Sequence, residues 1–157
     1  MAILFPASID GTPQTGGFTS PKFVTTLDQK PDVSAVQVAV LSTTGTLPAT
    51  VTMHTVSSPF TISYWRPKVF QILGRPDTLT GTINKVPTNK HKVITRKGVS
   101  IAAGQPARVV VIRTEIDVPA GAETIDIANV RAALSAHFGA LSNLSSGIGD
   151  TVNNGVV

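Results

Sequence analysis

The chain has 157 residues, 41% of them hydrophobic and 14% charged, and no cysteine; it is long enough for one domain with a real core, it is too apolar to be disordered, and it has no disulfide framework, thiolate metal site or thiol nucleophile. Its net charge of +4 is concentrated: residues 61–118 hold ten Lys and Arg against Asp77, Glu115 and Asp117, a net +7, while residues 1–60 and 119–157 carry −1 and −2. So basic a centre is the footprint of a phosphate-backbone binder, with a generic basic surface as the alternative.

At the start, MAILFPASIDG has no basic leader and too few apolar residues before Pro6 for a signal peptide, and no run approaches the roughly eighteen apolar residues of a membrane helix. Residues 1–60 are expected to form strands and turns, punctuated at Pro6, Asp10-Gly11 and Gly16-Gly17. TPQTGG lacks the following helix that would cradle a phosphate and reads as a turn. VSAVQVAVLS (33–42) is largely apolar on both alternating faces, which suits a strand covered on both sides.

FTISYWRPKVFQILG (60–74) reads as a strand, a bend at Pro67 and a second strand ending at Gly74. LTGTINKV (79–86) and KHKVITRKGVSI (90–101) read as two more, joined across Pro87-Thr88-Asn89. In the second, the period of two puts Lys90, Lys92, Ile94 and Arg96 on one face. ARVVVIRTEIDVP (107–119) is the clearest strand, with Val110, Ile112, Thr114 and Ile116 directed to the core and Val109, Val111, Arg113 and Glu115 away from it.

Beyond Pro119 and Gly121 the period changes. Asp126 is a candidate N-cap for IANVRAALSAHFGAL, where Ile127, Val130, Leu134, Phe138 and Leu141 recur at spacings of three and four, and Gly139 weakens the last turn. A second, shorter helix is expected around 145–153, with Leu144, Ile148 and Val152 four apart and Gly155 as its stop.

Strands first and helices last make an α+β fold: an N-terminal β-hairpin, an antiparallel sheet of about five strands, and two C-terminal α-helices on one face, leaving the cations on the other. A single domain is expected, with hairpin and sheet in 1–118 and helices in 119–157. Two short helices bury limited area and a broad sheet has unpaired edges. An intertwined homodimer, joining sheets edge to edge and packing helices through Ile127, Val130, Leu134, Phe138, Leu141 and Ile148, solves both problems.

Catalytic chemistry is sparse. His54, His91 and His137 stand far apart in no metal-ligand pattern, and no nucleophile elbow, phosphate loop or dinucleotide motif occurs, so neither an enzyme nor a metal or cofactor is expected. Glu115 and Asp117 share a strand face, but acids facing neighbouring cations such as Arg113 are a better reading than a catalytic pair. Trp65 and Tyr64 precede Arg66 and Lys68; a core Trp is favoured over a base-stacking one.

The segment EIDVPAGAETIDIANVRAALSAHFGALSNLSSGIGDTVNNG resembles the C-terminal part of the coat proteins of single-stranded RNA bacteriophages: a last strand running from Glu115 to Pro119, a helix, a break, a second helix, and the ending Asn154-Gly155-Val156. The strand NKHKVI (89–94) is similar to the family's Asn-basic-basic strand. Together these cover about seventy residues; the first sixty match only in style. The resemblance implies an interlocked dimer that assembles into an icosahedral shell, with T=3 expected, around genomic single-stranded RNA. It also implies a virion protein assembled in the bacterial host cytoplasm, with the sheet face inward on RNA and helices and loops outward.

The candidate RNA contacts are then Lys85, Lys90, Lys92, Arg96 and, by its place on the last strand, Arg113. Two registers are open for the basic strand, because a one-residue shift would turn His91, Thr95 and Lys97 to that face instead; the cost of desolvating three cations under helices favours the first. Some family members also repress translation by binding one RNA hairpin with an adenine pocket and a Tyr stack, and Val111 stands where such a Tyr is often found. Loops near Pro67–Pro76 and Gly104-Gln105 are candidates for contacts between dimers. The rival readings are a non-viral single-stranded nucleic-acid-binding β-barrel, for which the aromatics are few, and an extracellular β-sandwich binding module, which has no use for a basic centre.

Overall fold

Short β-branched segments that follow one another along a chain pair most readily with their sequence neighbours. The computed structural model, which describes residues 3–156, has this meander. Strands β1 (Ser8–Asp10), β2 (Ser20–Leu27), β3 (Ala35–Thr46), β4 (Phe60–Trp65), β5 (Thr88–Val99) and β6 (Arg108–Pro119) form one antiparallel sheet in the order β1-β2-β3-β4-β5-β6. The N-terminal hairpin therefore continues the sheet, raising the strand number from about five to six. The described strands neither close into a barrel nor stack as two sheets, which removes the architectures of both rival readings.

The register makes the sheet two-sided. Phe23, Val38, Val40, Phe60, Ile62, Tyr64, Val93 and Ile116 share an apolar face, while Thr44, Gln37, Thr61, Ser63, Lys92 and Glu115 share the polar one. The tightest packing is in the central strands, where Val38 and Val40 are 1% and 0% exposed. Towards β6 the apolar face opens: Val110 and Ile112, expected in the core, lie on the correct face but are 45% and 62% exposed, because none of the described residues covers them.

Between β2 and β3 the register shifts at Val24/Thr25: Thr25 pairs with Val40 and Val24 with Ser42, so Leu41 is the extra residue of a bulge. Gly45 sits beyond it at φ 83°, and a Cβ there would collide with the Ser20 carbonyl oxygen. Gly45→Ala is expected to destabilise the fold by about 2–4 kcal/mol, combining left-handed strain with displacement of β2. Denaturant unfolding checks this, and an unchanged midpoint would mean that β2 moves aside freely.

Two expected strands are absent. Neither KVFQILG nor LTGTINKV pairs, because β4 pairs directly with β5, with Trp65 opposite Lys92, and residues 66–87 form a long connection instead. Pro67, Pro76 and Pro87 cannot donate to a ladder. Local bonds hold the segment: Asp77 Oδ1 accepts from the Leu79 N–H, and the Gly81 N–H donates to the Asp77 carbonyl. Buried Asn89 clamps the connection to the sheet, its Oδ1 accepting from the Gln71 N–H (2.8 Å) and its Nδ2 donating to the Gln71 carbonyl (3.0 Å).

Two helices follow the sheet as expected, but they divide elsewhere. Helix α1 (Ala122–Ile125) is a single turn, and α2 (Ile127–Asn154) runs unbroken for 28 residues, about 42 Å at 1.5 Å per residue. Asp126 caps α2, accepting from the Asn129 N–H, and Gly155 stops it at φ 72°. Gly139 does not interrupt α2, since a helical glycine costs only about 1 kcal/mol and the apolar stripe continues through Leu141, Leu144 and Ile148. The first half of α2 faces the apolar sheet surface; towards its end Ser145 Oγ donates to the Pro13 carbonyl and Thr15 Oγ1 to the Asp150 carboxylate, at the tip of the β1–β2 hairpin.

Candidate nucleic-acid interface

The β5–β6 register assembles the basic stripe. Lys90 stands opposite Asp117, Lys92 opposite Glu115, Ile94 opposite Arg113 and Arg96 opposite Val111, so Lys90, Lys92, Arg96 and Arg113 share the polar face. His91, Thr95 and Lys97 take the apolar face, which leaves Lys90, Lys92 and Arg96 on the face away from Tyr64 and Phe60. Lys97 does structural work there: its Nζ donates to Thr52 Oγ1 (2.8 Å) and the Gly98 carbonyl (3.0 Å) and lies 5.1 Å from the Phe60 ring centroid, and burial lowers its pKa. Lys85 is not brought to the stripe; it is exposed in the connection before β5.

Acids facing neighbouring cations were expected, and the register puts each directly across from a lysine. Lys92 Nζ lies 2.9 Å from Glu115 Oε1, and Lys90 Nζ lies 3.6 Å from Asp117 Oδ2. The hydrogen bond from Lys92 holds the Glu115 carboxyl below the usual carboxylate range. At the end of β4, Lys68 meets Asp32 at 2.6 Å, and this contact, with the Ser34 N–H and hydroxyl, lowers the Asp32 pKa to about 2. Arg96 and Arg113 form no ion pair among the described residues. The two guanidiniums are the cations of the stripe that remain open to a phosphate, and each offers a planar fork of donors.

Trp65 lies on the same polar face, half-buried between Ala35 and Lys92, with its Nε1–H donating to Ser63 Oγ (3.1 Å). Its polar atom is thus satisfied within the chain. Tyr64 faces the other way. Its Oη lies 2.6 Å from His91 Nδ1, and burial raises the Tyr64 pKa and lowers that of His91, favouring the neutral form of each. This pair, 27 residues apart in sequence, escaped the sequence reading; its one signal was the strand period, which puts both residues on the apolar face.

Tyr64 and His91 line a half-open cavity of about 430 Å³ that is also lined by Ile127, Val130, Leu134 and Phe138 of α2. A wider groove of about 910 Å³ runs along Ile9, Phe23, Phe60, Ile62 and Ile112 on the same face. Leu141 and Ile148, also expected to pack helices, line neither and are exposed. Among the described residues no three His, Asp or Glu side chains are grouped to hold a metal ion.

No protein-family model and no curated protein matches the chain. Among solved structures, the virus-like particle of bacteriophage ESE020 is similar over 99% of this chain and 100% of its own, with 44% identity and a TM-score of 0.94. The virus-like particle of Beihai levi-like virus 32 is more distant, with 19% identity over 86% of this chain and 88% of its own and a TM-score of 0.47, too loose a superposition to carry weight. Identity at the first level over the whole length, on the two-sided sheet and C-terminal helices described above, makes this chain a structural capsid protein of the coat-protein family of single-stranded RNA bacteriophages.

Proposed function

We propose that the protein forms a homodimer, that dimers build an icosahedral shell of T=3 type in the bacterial cytoplasm, and that the shell packages single-stranded RNA against the polar sheet face. The observation that carries this is the incompleteness of the isolated chain. β6 is a twelve-residue edge strand with no buried residue, and α2 buries none of its 28 residues beside an open apolar groove. A second copy that pairs its β6 with this one and lays its α2 over the groove would cover edge, helix and groove together. The basic stripe is on the opposite face, where helices do not compete with RNA.

Within that reading Lys90, Lys92, Arg96 and Arg113 are the sheet-borne phosphate contacts, and Lys85 is an RNA contact from the connection. The loops at Pro67–Pro76 and Gly104-Gln105 lie between dimers. Repression of translation through one RNA hairpin would use Trp65, the aromatic among the strand residues of the polar face, since Val111 occupies the β6 position opposite Arg96.

Expression of the protein alone in bacteria tests the proposal. Expected are uniform hollow spheres by electron microscopy, eluting in the void volume of gel filtration with the ultraviolet absorbance of RNA. A small, nucleic-acid-free species at high protein concentration would overturn it.

A further inference from the structure

We propose that Glu115 and Asp117 are built-in competitors of RNA phosphate, which engage Lys92 and Lys90 and weaken their hold on RNA, so that Arg96 and Arg113 supply most of the grip. The proposal rests on the RNA-packaging reading of this face. Each acid is directly opposite one lysine in the ladder, where side chains face one another at close range. The ion pairs are 2.9 and 3.6 Å long, and the four side chains are 40–60% exposed. Ion pairs that open to solvent contribute little to stability, so folding gives no strong reason for two carboxylates in a stripe of cations.

Towards a polyanion their effect is large. Each carboxylate repels the phosphate that its lysine would attract, and the lysine must leave its partner before it can bind. The stripe thus carries four cations and two acids per protomer, with both acids paired to the more flexible lysines. Arg96 and Arg113 keep their donor forks free, and a guanidinium can meet phosphate with two parallel hydrogen bonds. In a shell many identical faces act on one RNA, and weak sites add up steeply. Internal competition keeps each face weak enough to release and rebind RNA while the shell closes.

The test compares Glu115→Gln/Asp117→Asn with Arg96→Gln/Arg113→Gln and the unaltered protein. Subunits are dissociated from particles, stripped of RNA and held below the assembly concentration. Their affinity for a fluorescein-labelled, unstructured single-stranded RNA is measured between about 50 and 200 mM salt, where single strands lose about 0.7 log units of affinity per log unit of salt for each neutralised phosphate. Freeing two lysines is expected to tighten binding about tenfold at the lower salt and to steepen that slope by up to about 1.4 per protomer. Unchanged or weaker binding by the amide variant, with binding lost in the arginine variant, would overturn the competitor role and leave RNA packaging intact. Unchanged binding in both variants would overturn both readings. If the double amide does not fold, Glu115→Gln alone carries the test, with a slope steeper by about 0.7.

Discussion

Replacing Lys90, Lys92, Arg96 and Arg113 together by glutamine is expected to give folded protein carrying no more than about a tenth of the nucleic acid bound to the unaltered protein. The four side chains are on the polar face of β5 and β6 and none is buried, so neutral side chains of similar length leave the core at Val38 and Val40 untouched. Removing them leaves Glu115 and Asp117 as the charges of the β5–β6 stripe, and the face becomes repulsive to RNA. The ratio of absorbance at 260 and 280 nm of the purified product reads the outcome directly. An unchanged ratio would show that RNA meets another surface, the connection bearing Lys85 being the first to examine. Because phosphate contacts carry no base readout, the loss should be uniform across RNA sequences.

The second large effect concerns the helix. Leu141→Asp with Ile148→Asp is expected to hold the protein as a folded monomer and abolish assembly. Both side chains are exposed, at 39% and 47%, and neither lines the cavity beneath the first half of α2, so the chain's own packing does not depend on them. In a dimer that buries α2, the exposed part of each contributes about 0.6–1.4 kcal/mol, and the symmetric pair doubles the loss to roughly 2.5–5 kcal/mol before the cost of burying carboxylates is added. Even the lower figure shifts a dimer dissociation constant by about two powers of ten, and the buried carboxylates add to it. Light scattering during gel filtration distinguishes the outcomes, and dimers or shells that persist would mean that α2 is not the dimer's packing element.

The polar stripe was legible because a strand's period is fixed by backbone geometry: once KHKVITRKG is a strand, Lys90, Lys92 and Arg96 must share a side. The caps of α2 were legible for a similar reason. Asp126 and Gly155 satisfy helix-end groups through their own side chain and left-handed backbone, which are local properties. The break expected between two C-terminal helices does not occur, since the apolar stripe that runs the length of α2 outweighs the local cost of Gly139, Gly147 and Gly149.

By itself, the sequence determined that strands precede helices, the N-cap and C-cap of α2, and the co-facing of cations on β5, all of which follow from interactions a few residues apart. The family was legible there as a resemblance carried by residues 89–94 and 115–156, which full-length structural similarity then established. Only the tertiary structure decided which segments pair. KVFQILG and LTGTINKV have the composition of strands, yet β4 and β5 satisfy one another and leave them without a ladder. It also decided the electrostatics of the stripe, because the acid opposite each lysine depends on the relative register of β5 and β6 rather than on either strand's period. Pairing and register are choices among distant partners, settled by which arrangement buries Val38 and Val40 and satisfies the most backbone groups.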